Sequence, residues 1–96
     1  MWQRASSGSG SGGGGDTCQY YNAPSTGTVT LSEFSFIRTA FVKSGNFIAY
    51  AYTLDDGANY TYFANNPTYL QIKSISANTI TITATYGRDY MVVTGN

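Results

Sequence analysis

Residues 69–85 read YLQIKSISANTITITAT, and this stretch decides the fold. Its second half alternates strictly, with Ile80, Ile82 and Ala84 on one side and Thr79, Thr81, Thr83 and Thr85 on the other. A period of two puts successive side chains on opposite faces of an extended chain, so Thr79–Thr85 is predicted as a half-buried strand. Tyr69–Ile75 carries aromatic and β-branched residues that fit a pleated surface, and Ser76-Ala77-Asn78 between the runs has hairpin length.

The same punctuation extends in both directions. Thr26–Leu31 sets Val29 and Leu31 against Thr28 and Thr30. Phe34–Lys43 sets Phe36, Ala40 and Val42 against Ile37, Thr39 and Phe41. Ser44-Gly45-Asn46 turns the chain into Phe47–Leu54, where Ile48, Tyr50, Tyr52 and Leu54 oppose Phe47, Ala49, Ala51 and Thr53. Asp55-Asp56-Gly57 is a second turn, with glycine supplying a positive φ. Tyr60–Ala64 is a short strand ended by Asn65-Asn66-Pro67, and Tyr90–Thr94 follows the loop Tyr86-Gly87-Arg88-Asp89. No window sustains the apolar spacing of three and four that a helix needs. The prediction is an all-β chain, an antiparallel β-sandwich of about seven short strands, with Val29, Leu31, Ile72, Ile80, Ile82, Met91 and Val93 buried.

Composition shifts at Asp16. Residues 5–15, ASSGSGSGGGG, hold six of the eleven glycines and no apolar side chain larger than alanine. Such a run has nothing to bury against the entropy of ordering it. All nine tyrosines lie between Tyr20 and Tyr90. The expected organisation is a Gly/Ser-rich N-terminal arm at 1–15 and one β-sandwich domain at 16–96; 96 residues leave no room for a second core.

Several function classes drop out on composition. Five Lys and Arg against five Asp and Glu give a net charge of zero, without the cationic surplus that a nucleic-acid partner demands. There is no histidine and one cysteine, Cys18, which removes His-based acid–base chemistry, Ser-His-Asp and Cys-His nucleophiles and nearly every transition-metal site. We expect no enzymatic activity, no catalytic residue, no cofactor and no metal. No apolar run is long enough for a membrane span. Met1-Trp2-Gln3-Arg4 leads into serine and glycine rather than an apolar stretch, so the expectation is synthesis in a cytoplasm, with a trimmed leader as the alternative.

Local motifs mostly reduce to structure. The glycine run lacks the Lys-Ser/Thr of a phosphate loop. Cys18 has no histidine to activate it, and nearby Asp16 would raise its pKa, so it reads as a tolerated thiol. Asp55-Asp56-Gly57 with Asn59 offers oxygens to Ca²⁺ but lacks the longer acidic pattern, and reads as a type I turn. Asn59-Tyr60-Thr61 is a glycosylation triplet of a kind that arises by chance. Glu33, placed in a strand, is far in sequence from Asp55 and makes a poor glycosidase pair. The threonine row reads as a solvent face rather than an ice-binding one. Tyr50/Tyr52 and Tyr60/Tyr62 each project two rings from one strand face, and two readings stay open: packing between sheets, or a platform for sugar or protein. Trp2 and Arg4 are favoured anchor types at the far end of a tether that reaches up to ~35 Å.

Residues 26–94 resemble small β-sandwich modules of tailed-phage virions. The likeness rests on the hairpin string Ile72-Lys73-Ser74-Ile75-Ser76-Ala77-Asn78-Thr79-Ile80-Thr81-Ile82 and the closing strand Tyr90-Met91-Val92-Val93. It implies a structural subunit of a head, collar or tail in the virion that binds its neighbours or a host surface polymer. The arm, as a contact element, adds the expectation of a homo-oligomer bound to itself or to other virion proteins through residues 1–15. The alternatives are a module binding carbohydrate or another cell-surface polymer, and an extracellular filament subunit. Trp2, Arg4, Tyr50, Tyr52, Tyr60 and Tyr62 are the candidate partner-binding residues.

Overall fold

The computed structural model of the chain describes residues 15–22, 25–85 and 90–96. The described residues form eight strands: β1 (Thr17–Tyr21), β2 (Gly27–Thr30), β3 (Ile37–Ser44), β4 (Phe47–Tyr52), β5 (Thr61–Ala64), β6 (Leu70–Ser76), β7 (Thr79–Ala84) and β8 (Tyr90–Gly95). Every pairing is antiparallel, in a five-stranded sheet ordered β1-β8-β3-β4-β5 and a three-stranded sheet ordered β2-β7-β6. The two sheets pack as a sandwich, and the described residues include no helix. The arm, residues 1–15, falls almost wholly outside the described residues.

The core lies between the sheets. The smaller sheet contributes Leu70, Ile72, Ile75, Ile80 and Ile82, all at most 7% exposed. The larger sheet answers with compact side chains, Ala40, Val42, Ala49, Ala51, Met91 and Val93. Leu31 and Phe34 close one end from the β2–β3 connection. Of the residues predicted as core, Val29 alone is only partly buried, packed against the cluster from edge strand β2.

The expected sandwich of about seven short strands is present with eight among the described residues, the additional one being Thr17–Tyr21, which pairs along its whole length with β8. Three expectations need correction. Within 34–43, simple alternation put Ile37 opposite Ala40 and Val42, yet all three are buried together. A β-bulge is the cause. Ile37 faces Gly95 and Thr39 faces Thr94, so Arg38 is an extra residue that resets the alternation. The Asp55–Ala58 turn has φ of 56° at Asp56 and 97° at Gly57, the mirror-image I′ pattern rather than type I. Glu33 sits in the turn between β2 and β3, not in a strand, and accepts a hydrogen bond from the Tyr21 hydroxyl.

The chain's last described residues lock the β2–β3 connection. Asn96 donates to the Phe36 carbonyl, and its own carbonyl accepts from Phe36 N–H at 3.2 Å. A Cβ on Gly95 would lie 2.3 Å from the Phe36 carbonyl oxygen, so only glycine permits this approach.

Candidate functional site

In an antiparallel sandwich the inward faces are apolar and the outward ones polar. The smaller sheet obeys this. Thr28 faces Thr81 and Thr30 faces Thr79, with hydroxyl pairs at 3.0 and 3.1 Å, and Ser74 and Ser76 continue the two rows on β6. The threonine row is thus a hydroxyl-coated face whose side chains largely bond one another.

The larger sheet breaks the rule. Its register aligns Tyr20 with Val92, Val92 with Phe41, Phe41 with Tyr50 and Tyr50 with Phe63. All five point away from the core, forming one aromatic and apolar file across all five strands. The flanking rows add Tyr90, Lys43 and Ile48 on one side, and Cys18, Thr94, Thr39, Tyr52 and Thr61 on the other. Tyr50 and Phe63 stack with centroids 5.0 Å apart, and Tyr20 and Tyr90 at 5.6 Å. Tyr20, Tyr50 and Phe63 remain 66%, 37% and 45% exposed. Lys43 is the one charged residue on these three rows.

The inversion follows from β4. Ala49, Ala51 and Thr53 take the buried positions, which forces Ile48, Tyr50 and Tyr52 outward. Large aliphatic side chains on the opposing sheet fill the space the alanines leave. The rings therefore sit on the surface.

The structure places the two tyrosine pairs on opposite faces. Tyr50 and Tyr52 belong to the outer face of the larger sheet, whereas Tyr62 lies opposite the buried Ala51. The Tyr62 hydroxyl accepts from Ile75 N–H at 2.8 Å, and the Tyr60 hydroxyl donates to the Ile37 carbonyl at 2.7 Å. Burial raises the pKa of Tyr60, with the neighbouring Tyr62 adding to it. Trp2 and Arg4 lie outside the described residues. Tyr20, Phe41, Phe63, Tyr90 and Val92 were not among the partner-binding candidates read from the sequence. Their signal is the cross-strand register, which a single strand does not reveal.

The other motifs are internally satisfied. Asp55 accepts from Asn59 N–H, Asn59 Nδ2 and the Thr53 hydroxyl, which lowers its pKa. Asp56 pairs with Arg38. Among the described residues no three His, Cys, Asp or Glu side chains are grouped to hold a metal. Asn59, the glycosylation candidate, has its amide nitrogen on Asp55. Cys18 is a half-buried free thiol with a raised pKa, and the cause is burial rather than Asp16, whose carboxylate is held by Arg38. No helix among the described residues is long and apolar enough to cross a membrane. Comparison with known protein families, curated proteins and solved structures finds no match.

Proposed function

We propose that this chain is a non-enzymatic assembly subunit that docks on a neighbouring subunit through the outer face of its five-stranded sheet. The carrying observation is the file Tyr20–Val92–Phe41–Tyr50–Phe63, which presents aromatic rings to solvent where a sandwich normally presents polar side chains. Enrichment in Tyr and Phe with near-absence of charge matches the centre of a protein–protein interface. A contiguous exposed apolar patch on a small domain is itself a mark of a contact surface. The resemblance to phage modules makes a virion the setting of this reading, with Trp2 and Arg4 of the arm as further anchors.

The experiment is sedimentation of the wild-type chain beside Tyr50→Ser/Phe63→Ser. The wild type is expected to form an oligomer, and the double variant to lose mass at equal concentration while keeping its urea midpoint. A mass unchanged by both substitutions overturns the reading. So does a wild-type monomer that is retained on immobilised polysaccharide, with retention lost in the double variant; the rings are then a sugar platform.

A further inference from the structure

The sandwich has four sheet edges: β1 and β5 on the larger sheet, β2 and β6 on the smaller. Proteins disarm such edges with short strands, charges, proline, bulges or cover, because unpaired backbone groups template pairing with another chain. Three of these edges carry such devices. β6 has a bulge at exposed Lys73, and its Ile75 N–H is taken by the Tyr62 hydroxyl. That same bond lays β5 beside β6, and β5 spans only Thr61–Ala64. β2 is equally short, Gly27–Thr30.

β1 is one residue longer than β2 and β5 and carries none of the other devices. Thr17-Cys18-Gln19-Tyr20-Tyr21 contains no charge and no proline, and all five residues pair one to one with β8 without a bulge. Among the described residues nothing pairs with its other side. We infer that β1 is a self-pairing edge, which joins β1 of a second copy antiparallel about a two-fold axis and makes one continuous ten-stranded sheet.

The composition of the strand suits a second copy. In a register centred on Gln19, Cys18 lies beside the other copy's Tyr20 on the outer face, and Gln19 beside Gln19. No like charges meet, and a net charge of zero leaves no long-range repulsion between copies. Pairing also sets the aromatic files of the two copies end to end, since Tyr20 terminates the file at this edge. Main-chain hydrogen bonds then supply affinity, as in strand addition generally. The inference stands on the edge and does not require that the aromatic face itself docks.

The test is a charge swap at Gln19, which is exposed and tolerates either sign. Registers centred on residues 18, 19 or 20 all bring the two Gln19 side chains opposite or diagonal to one another, where like charges repel. Made in the Tyr50→Ser/Phe63→Ser background, Gln19→Lys and Gln19→Glu are each expected to dimerise at least tenfold more weakly than that background alone. Mixing the two should restore a heterodimer of one Lys and one Glu chain, visible by native mass spectrometry. That rescue also certifies that both variants fold. A background chain that stays monomeric at high concentration overturns the inference, as does dimerisation insensitive to Gln19 with no preference on mixing. Neither result bears on the face, whose loss is read from the Tyr50 and Phe63 substitutions alone.

Discussion

The guanidinium of Arg38 holds both carboxylate oxygens of Asp16, and Asp16 is the residue at which the glycine-rich run gives way to β1. The same guanidinium reaches Asp56 at 2.9 Å and covers the Phe36 ring at 4.9 Å. Arg38 is the bulge residue of β3, and the bulge is what releases it from strand alternation to serve three neighbours. These ion pairs raise its pKa still further above the physiological range, so its charge is permanent.

Arg38→Ala is therefore expected to loosen the start of β1 more than the fold as a whole. The pairs are partly solvent-exposed, so the loss should be about 1 kcal/mol at low salt and smaller at high salt. Amide exchange at Thr17 and Cys18 should accelerate selectively. Uniform acceleration across all strands would show that Arg38 supports the core instead.

Two glycines separate steric from conformational need. Gly95→Ala places a methyl against the Phe36 carbonyl and the Phe34 ring, and should cost about 3 kcal/mol through overpacking. Gly45, in the β3–β4 turn at φ 61°, has open space around it, so Gly45→Ala should cost only the left-handed backbone, about 1 kcal/mol. Urea denaturation of the pair decides. Equal costs would mean that the chain end gives way readily.

Ala77 presents the reverse case. It turns the β6–β7 hairpin at φ 54° without being glycine, and its carbonyl accepts from Ile37 N–H at 2.9 Å. Ala77→Gly should stabilise the chain by about 0.5 kcal/mol, the relief of left-handed strain less the added freedom of the unfolded chain. A destabilised variant would show that the methyl makes a contact worth more than the strain.

Asp55 gives a prediction with a sign. Hydrogen bonds from Asn59 and Thr53 lower its folded pKa below the unfolded value of about 3.9. Its contribution is present above that unfolded value and is lost as pH falls through the folded pKa. Carbon-detected titration should find the Asp55 carboxyl below the usual aspartate range, and Asn59→Ala should move it back up. A titration unchanged by Asn59→Ala would assign the shift elsewhere.

The β6–β7 hairpin was legible because its faces differ, isoleucine within and threonine without. Seven of the eight strands were found in this way, with no end displaced by more than three residues. β1 was not legible, since TCQYY has no apolar alternation, and Cys18 and Gln19 become strand residues only by pairing with Thr94 and Val93. The face of Ile37 was misread because a bulge leaves no mark in a local pattern; its cause is the match between β3 and β8. The alternation of Tyr50 with Ala49 and Ala51 was visible, but not which side was buried. That choice depends on Ile72, Ile80 and Ile82 across the sandwich, whose bulk leaves room for alanine and none for tyrosine.

The arm yields the last prediction. Each strand, core residue and ion pair described above involves only residues from Asp16 onward, so removing residues 1–15 should leave the urea midpoint unchanged. Trp2 is the only tryptophan, and its emission therefore reports the surroundings of the arm alone. If Trp2 and Arg4 anchor on a neighbouring subunit, emission shifts to the blue as concentration rises through assembly and returns on dilution. Burial of such an aromatic anchor contributes roughly 2 kcal/mol. Trp2→Ala should then weaken association about thirtyfold without altering the far-UV spectrum, since 1.4 kcal/mol corresponds to a factor of ten. An emission maximum that ignores concentration, with association unchanged in Trp2→Ala, would leave the arm outside the assembly and the sheet face to act without it.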